Sequence, residues 1–178
     1  MELPGGFSLT ELLLAVALLA ILAGLSAPSF QDLQLNAARA NAVNQFVQSI
    51  HLARGEAMKR NGVVSLCASA GAASCETEEA HWNNGWIVFV NGDADVPAVR
   101  DADENLLYTY PAWPRGRITS NRATLSFRAF GQTGVTSTFT FCDIRGSREA
   151  RAVIISQTGR PRVSNRSAAD TALTCPAP

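Results

Sequence analysis

Gly159-Arg160-Pro161-Arg162 sets two guanidinium groups on either side of one proline. Proline fixes its own φ and biases the residue before it toward extended backbone. On an extended chain residues i and i+2 point to the same side, about 6.6 Å apart at roughly 3.3 Å per residue. Two planar forks held so, with little ordering cost, suit successive phosphates along one strand of DNA. Arg166 follows in a Ser/Asn/Ala-rich stretch expected to be a mobile tail, and Arg148 and Arg151 precede the motif. The plainer reading is a solvated basic turn, or an internal pair with Asp143 or Glu149.

Glu11 is the second chemically charged position. It is the one ionisable residue in an apolar run from Phe7 to Ala27. As a helix that run measures about 31 Å at roughly 1.5 Å per residue. A bilayer core is about 30 Å thick, so the run is expected to span one. A carboxylate in lipid is costly and marks a functional site unless it snorkels to the interface. The leader Met1–Gly6 carries no basic residue and precedes the apolar core, whereas a secretory signal peptide has a basic start and a cleavage site after its core.

The four cysteines Cys67, Cys75, Cys142 and Cys175 allow three connectivities. An even count behind a membrane-crossing segment points to an oxidising compartment and disulfides. Cys67–Cys75, closing a short Ala/Gly/Ser loop, and Cys142–Cys175, tying the C-terminus to a strand, are favoured. Without a C-x-x-C pair or paired histidines, zinc is not indicated. Asn91-Gly92-Asp93-Ala94-Asp95 resembles the start of a calcium loop, but Val96 and Ala102 stand where that loop needs glycine and glutamate. A solvated loop is expected there. Neither G-x-S-x-G, a P-loop nor H-E-x-x-H occurs, and no nucleophile with an oriented base is nominated. The expectation is a non-enzyme with no cofactor and no catalytic or metal residues.

The net formal charge is zero, yet the signs are segregated. Residues 76–104 carry eight acids against Arg100, and residues 113–178 carry ten arginines against three acids. Such asymmetry points to a charged partner or to mutual neutralisation within the fold.

These groups need elements to hold them. Beyond Pro28, apolar residues recur at Leu33, Ala37, Ala40, Val43, Phe46, Val47, Ile50, Ala53 and Ala57, one face of a helix. Asp32, Asn36, Arg39, Gln45 and Gln48 fall opposite. Lys59-Arg60-Asn61-Gly62 supplies a basic last turn and a glycine stop. The spacing therefore predicts one helix over 7–60, with 7–27 transmembrane and 28–60 amphipathic. After Gly62 the period becomes two. Strands are expected at 63–67, 86–90, 106–110, 124–130, 136–142 and 152–156, separated by Gly, Asn, Asp and Pro. The fold class is α+β: a long helix on an antiparallel β-sandwich-like head, 62–178. Trp82 and Trp86 are expected in its core.

Gly6-Phe7-Ser8-Leu9-Thr10-Glu11-Leu12-Leu13 resembles the N-terminal signal of type IV pilins and type II secretion pseudopilins. The resemblance implies cleavage of leader 1–6 by prepilin peptidase after Gly6 and methylation of Phe7. It implies pairing of Glu11 with the N-terminal ammonium of a neighbouring subunit during assembly. Trp82-Asn83-Asn84-Gly85-Trp86, Phe127-Arg128-Ala129-Phe130-Gly131, Thr140-Phe141-Cys142 and Ile154–Val163 narrow it to the FimT/GspH branch. That implies an inner-membrane, single-pass protein with a periplasmic head, which assembles with other pilin or pseudopilin subunits and can reach the cell surface. The Gly-Arg-x-Arg segment is similar to the DNA-contacting tail of FimT proteins that serve natural transformation, and marks Arg160, Arg162 and Arg166, helped by Arg148 and Arg151. A minor pseudopilin of type II secretion, acting structurally near the filament tip, is the alternative.

Overall fold

Ser8 starts the first helix: its hydroxyl accepts the Glu11 amide at 3.2 Å and its carbonyl accepts the Leu12 amide at 3.1 Å. This is the serine half of a Ser-x-x-Glu capping box, and it engages the backbone amide of Glu11 rather than its carboxylate. In this computed structural model the described residues are 8–76 and 81–176, without the side chains of 23 and 25–29. The processing positions Gly6 and Phe7 lie outside them.

Helix α1 runs Leu9–Arg60. Among the described residues no helix is long and apolar enough to cross a membrane. The expected span 7–27 includes Phe7 and side chains from Ala23 onward that are not described. Asn61, at φ 52°, ends the helix, and the Gly62 amide returns to the Ala57 carbonyl at 3.1 Å. The left-handed residue is thus asparagine rather than the expected glycine.

Two compact units divide the chain, Met1–Ala37 and Ala38–Pro178. Within the second, Ala42, Val43, Phe46, Ile50, Ala53 and Ala57 bury one helical face. Phe46 is its hub, with ring centroids 4.5 Å from Phe139, 5.4 Å from Trp86 and 5.7 Å from both Trp82 and Phe141. The expected face is shifted at its start. Leu33, Ala37 and Ala40 are exposed, while Arg39, expected on the polar face, is buried.

Among the described residues, eight strands form two antiparallel four-stranded sheets. β1 (Val63–Ala68), β2 (Trp86–Asn91), β3 (Leu106–Tyr110) and β5 (Thr124–Phe127) are ordered β3-β2-β1-β5. β4 (Gly116–Ser120), β6 (Ser137–Asp143), β7 (Arg151–Ile155) and β8 (Pro161–Ser164) are ordered β4-β6-β7-β8. Both sheets contribute to one core with α1: Val64, Leu66, Val88 and Phe127 from the first, Ile118, Phe139, Phe141, Val153 and Ile155 from the second. The other face of the first sheet packs Cys67, Ile87 and Phe89 under Ala98. The favoured disulfides, Cys67–Cys75 and Cys142–Cys175, are the ones formed.

Arg39 is buried because it is paired. Its guanidinium donates to Asp143 Oδ2 at 3.1 Å and lies 3.8 Å from Glu149, while Arg145 reaches the same Asp143 oxygen at 2.7 Å. Burial pushes the Asp143 carboxyl up, but hydrogen bonds from Arg145 and the charges of Arg145 and Arg39 outweigh it, so its pKa falls below the usual carboxylate value. A depressed folded-state pKa adds stability that is full above the unfolded value of about 3.9 and is lost as pH falls through the folded value. Asp143→Asn keeps one acceptor oxygen and is expected to cost about 1–2 kcal/mol at neutral pH. The gap in denaturant midpoint from wild type should begin to narrow below about pH 4 and close only once Asp143 is protonated in the folded state. A gap independent of pH would contradict the pairing.

Candidate functional site

Pro161–Ser164 forms a strand, β8, and Arg160 stands just before it, where the sequence suggested an extended segment without assigning a strand. β8 pairs antiparallel with β7, with Ile155 opposite Pro161, Ile154 opposite Arg162, Val153 opposite Val163 and Ala152 opposite Ser164. A proline is tolerated because β8 is an edge strand, where a missing N–H on the free side breaks no ladder. Sequence reading missed β8 because a Pro with flanking arginines and serine lacks the β-branched run that marks a strand.

A three-residue turn, Gln157-Thr158-Gly159, joins β7 to β8. The Ser156 amide donates to the Arg160 carbonyl at 3.1 Å, the Gly159 amide to the Ser156 carbonyl at 2.8 Å, and the Arg160 amide to the Ser156 hydroxyl at 3.3 Å. Gly159 adopts φ 76°, the left-handed position of such a hairpin. A Cβ there would collide with the Gly131 carbonyl and come within 3.1 Å of Phe127. The turn is also clamped from outside: the Thr133 and Gly134 amides donate to the Gln157 carbonyl at 3.1 and 3.3 Å. Arg54 of α1 donates to the Gly131 carbonyl at 3.1 Å, so the clamp is anchored on the helix. Gly159→Ala should therefore cost at least about 1–2 kcal/mol from backbone handedness alone. Thermal melts of wild type and variant check this, and an unchanged melting temperature would show that the turn is not so constrained.

The site residues separate on this frame. Arg160 and Arg162 are exposed, two residues apart on the extended chain, and have no side-chain partner among the described residues. Val153 and Ile155 face the core, so Ile154 and its partner Arg162 face away from it. Asp143 and Glu149, the internal partners considered for them, are engaged by Arg39, and Asp143 also by Arg145. Arg166 is not in a loose tail. It bridges to Ala172, and its guanidinium binds the Asp170 carbonyl at 2.8 Å and carboxylate at 3.2 Å. Leu173 then packs with Cys142, Ala150, Ala152 and Ile154 on the outer face of the second sheet, sealed by Cys142–Cys175.

Arg151 does not join the set. It lies opposite Phe141 on the core-facing side of β7, and donates to the Ala150 carbonyl at 2.8 Å. Arg148 is exposed in the short turn Ser147–Glu149, at the end of β7 away from Arg160. One arginine was overlooked. Arg117 on β4 is exposed and opposite Cys142, on the same outer face as Arg162. Strand β4 went unread because Gly116-Arg117-Ile118-Thr119-Ser120 is short and flanked by Pro114 and Asn121.

In the acidic stretch, Asp95 accepts the Val99 amide at 3.0 Å and Glu104 the Gly92 amide at 2.6 Å. Among the described residues no three His, Cys, Asp or Glu side chains are grouped to hold a metal.

Residues 42–159 match the model of the family described as type II transport protein GspH. The match ends one residue before Arg160. No curated protein sequence matches the chain significantly. Among solved structures, two crystal forms of the type IV minor pilin FimU of Pseudomonas aeruginosa strain PAO1 are similar. One has a TM-score of 0.53 at 18% identity, covering 70% of this chain and 91% of that one. The other has a TM-score of 0.52 at 18% identity, covering 75% and 90%. At that identity the likeness is one of fold: a helix packed on an antiparallel head.

Proposed function

Because the chain belongs to the GspH family of type II transport proteins, we propose that it is a minor subunit of a type IV pilus whose head binds DNA through Arg160 and Arg162. The observation that carries this is the β7–β8 hairpin. It holds two exposed guanidinium groups, without side-chain partners among the described residues, at and just before a clamped edge strand. Side chains pre-placed in this way lose little entropy on meeting a polyanion. The contacts are to phosphates, hence without sequence preference and weakened by salt. Arg166 helps once it exchanges Asp170 for a phosphate, and Arg148 contributes only to a duplex long enough to reach the other end of β7.

In this reading the apolar segment 7–27 anchors the chain in the inner membrane with its head in the periplasm. Prepilin peptidase removes residues 1–6, Phe7 is methylated, and Glu11 neutralises a neighbouring subunit's N-terminal ammonium. Glu11→Ala should abolish incorporation into filaments and leave the head folded, since residues 38–178 form their own compact unit. Immunoblotting of sheared filaments tests this; incorporation at wild-type levels would refute the pairing.

The family description favours a second reading, a structural pseudopilin of type II secretion. In a transformable host, Arg160→Gln with Arg162→Gln should lose DNA uptake while pili persist. Intact uptake together with lost enzyme secretion on deletion of the protein would favour the second reading.

A further inference from the structure

Sheet edges offer unpaired backbone groups, and folded proteins usually block them with proline, lysine, bulges or cover. Two outer strands here show such devices. β8 carries Pro161, and the β2–β3 pairing is broken by a register shift between Val88 and Phe89. β5, the other edge of the first sheet, has neither. Its sequence is Thr-Leu-Ser-Phe, without proline, lysine or a register shift. Among the described residues no backbone hydrogen bond reaches Thr124–Phe127 except from β1. The loop beside it touches only a side chain, the Ala98 amide donating to Thr124 Oγ1 at 3.3 Å.

A groove of about 400 Å³ runs along this strand. Residues 122–126 form one wall, and Val96, Pro97, Thr133 and Val135 line the rest. Val96 is 83% exposed and Val135 38%, apolar surface without cover. Arg122 and Arg128 stand at the two ends, with no side-chain partner among the described residues. They are six positions apart with β5 between them, at most about 20 Å at roughly 3.3 Å per residue. A strand edge supplies affinity through main-chain bonds and its flanking pockets supply choice. The pockets are apolar in the middle and cationic at both ends.

We propose that the free edge of β5 is a strand-addition site for an extended acidic segment of a neighbouring filament subunit, with its carboxylates on Arg122 and Arg128. This rests on the family's assembly role and is independent of the DNA reading.

The test uses the full chain in detergent micelles. The probe is a labelled, end-blocked heptapeptide of alternating valine and threonine with glutamate at each end, and binding is read by fluorescence anisotropy. Saturable binding is expected, weakened at least tenfold by Arg122→Gln with Arg128→Gln. Lysine in place of the terminal glutamates should weaken it as much, and N-methylation of alternate peptide amides should abolish it. Unaltered binding of the N-methylated peptide would overturn strand addition, and unaltered binding of the lysine peptide would overturn the acidic partner. No binding of the glutamate peptide overturns the site. Displacement of the peptide by duplex DNA that the Arg160→Gln/Arg162→Gln variant still binds would assign the groove to nucleic acid instead.

Discussion

Arg160→Gln with Arg162→Gln is expected to lower affinity for duplex DNA by roughly thirty-fold at moderate salt. Each arginine makes an exposed charge-assisted contact worth about 1 kcal/mol. Two such contacts give about 2 kcal/mol, which is that factor. The log–log salt slope should fall by about two, at roughly −0.9 per phosphate contact. The fold should tolerate the change, because both side chains are exposed and β8 is held by backbone pairing to β7. Lysine at both positions should restore only part of the affinity, since a point charge lacks the planar fork. A fluorescence titration over a range of salt reads all three quantities. A folded double variant with wild-type affinity would remove the hairpin from the interface.

Opening Cys142–Cys175, by serine at both positions, is expected to cost about 3–4 kcal/mol as an upper range for a loop of this size. The bridge spans a sequence separation of 33 and seals Leu173 over Ala152 and Ile154. Chemical denaturation of oxidised and serine forms measures the cost. The bridge closes a loop that contains Arg160, Arg162 and Arg166, which suggests a restraint that orders all three. The structure gives it a narrower role, because β8 is ordered by β7 and by the turn clamp at Gln157. The serine variant should therefore keep the contacts of Arg160 and Arg162 and lose only the share of Arg166, whose bridge to Ala172 belongs to the released segment. A loss of DNA affinity as large as that of the double arginine variant would contradict this division.

The helix, six of the eight strands and both disulfides were legible because each leaves a local mark. Phe46, Ile50, Ala53 and Ala57 follow the helical period, and Thr136–Phe141 alternates. What was not legible depends on partners distant in sequence. Arg39 reads as a surface residue until Asp143, 104 positions later, supplies its counter-charge. β8 reads as an unassigned extended segment until β7 offers it a ladder, and Asp170 neutralises Arg166 only because the chain turns back at Ser167–Thr171. Arg151 joined the candidate set on sequence proximity and left it because strand alternation turns it toward Phe141. The pair Arg160 and Arg162 is nominated by a dipeptide rule, and its shared side agrees with the strand that starts at Pro161.

Phosphate binding by this head, as proposed, is read out by a salt titration of the wild-type full chain against a short duplex of arbitrary sequence. Binding in the micromolar range at moderate salt is expected, with a log–log slope of about −3 for three to four phosphate contacts and no dependence on duplex sequence. An absence of binding even at low salt would contradict a phosphate-binding head and favour a structural pseudopilin.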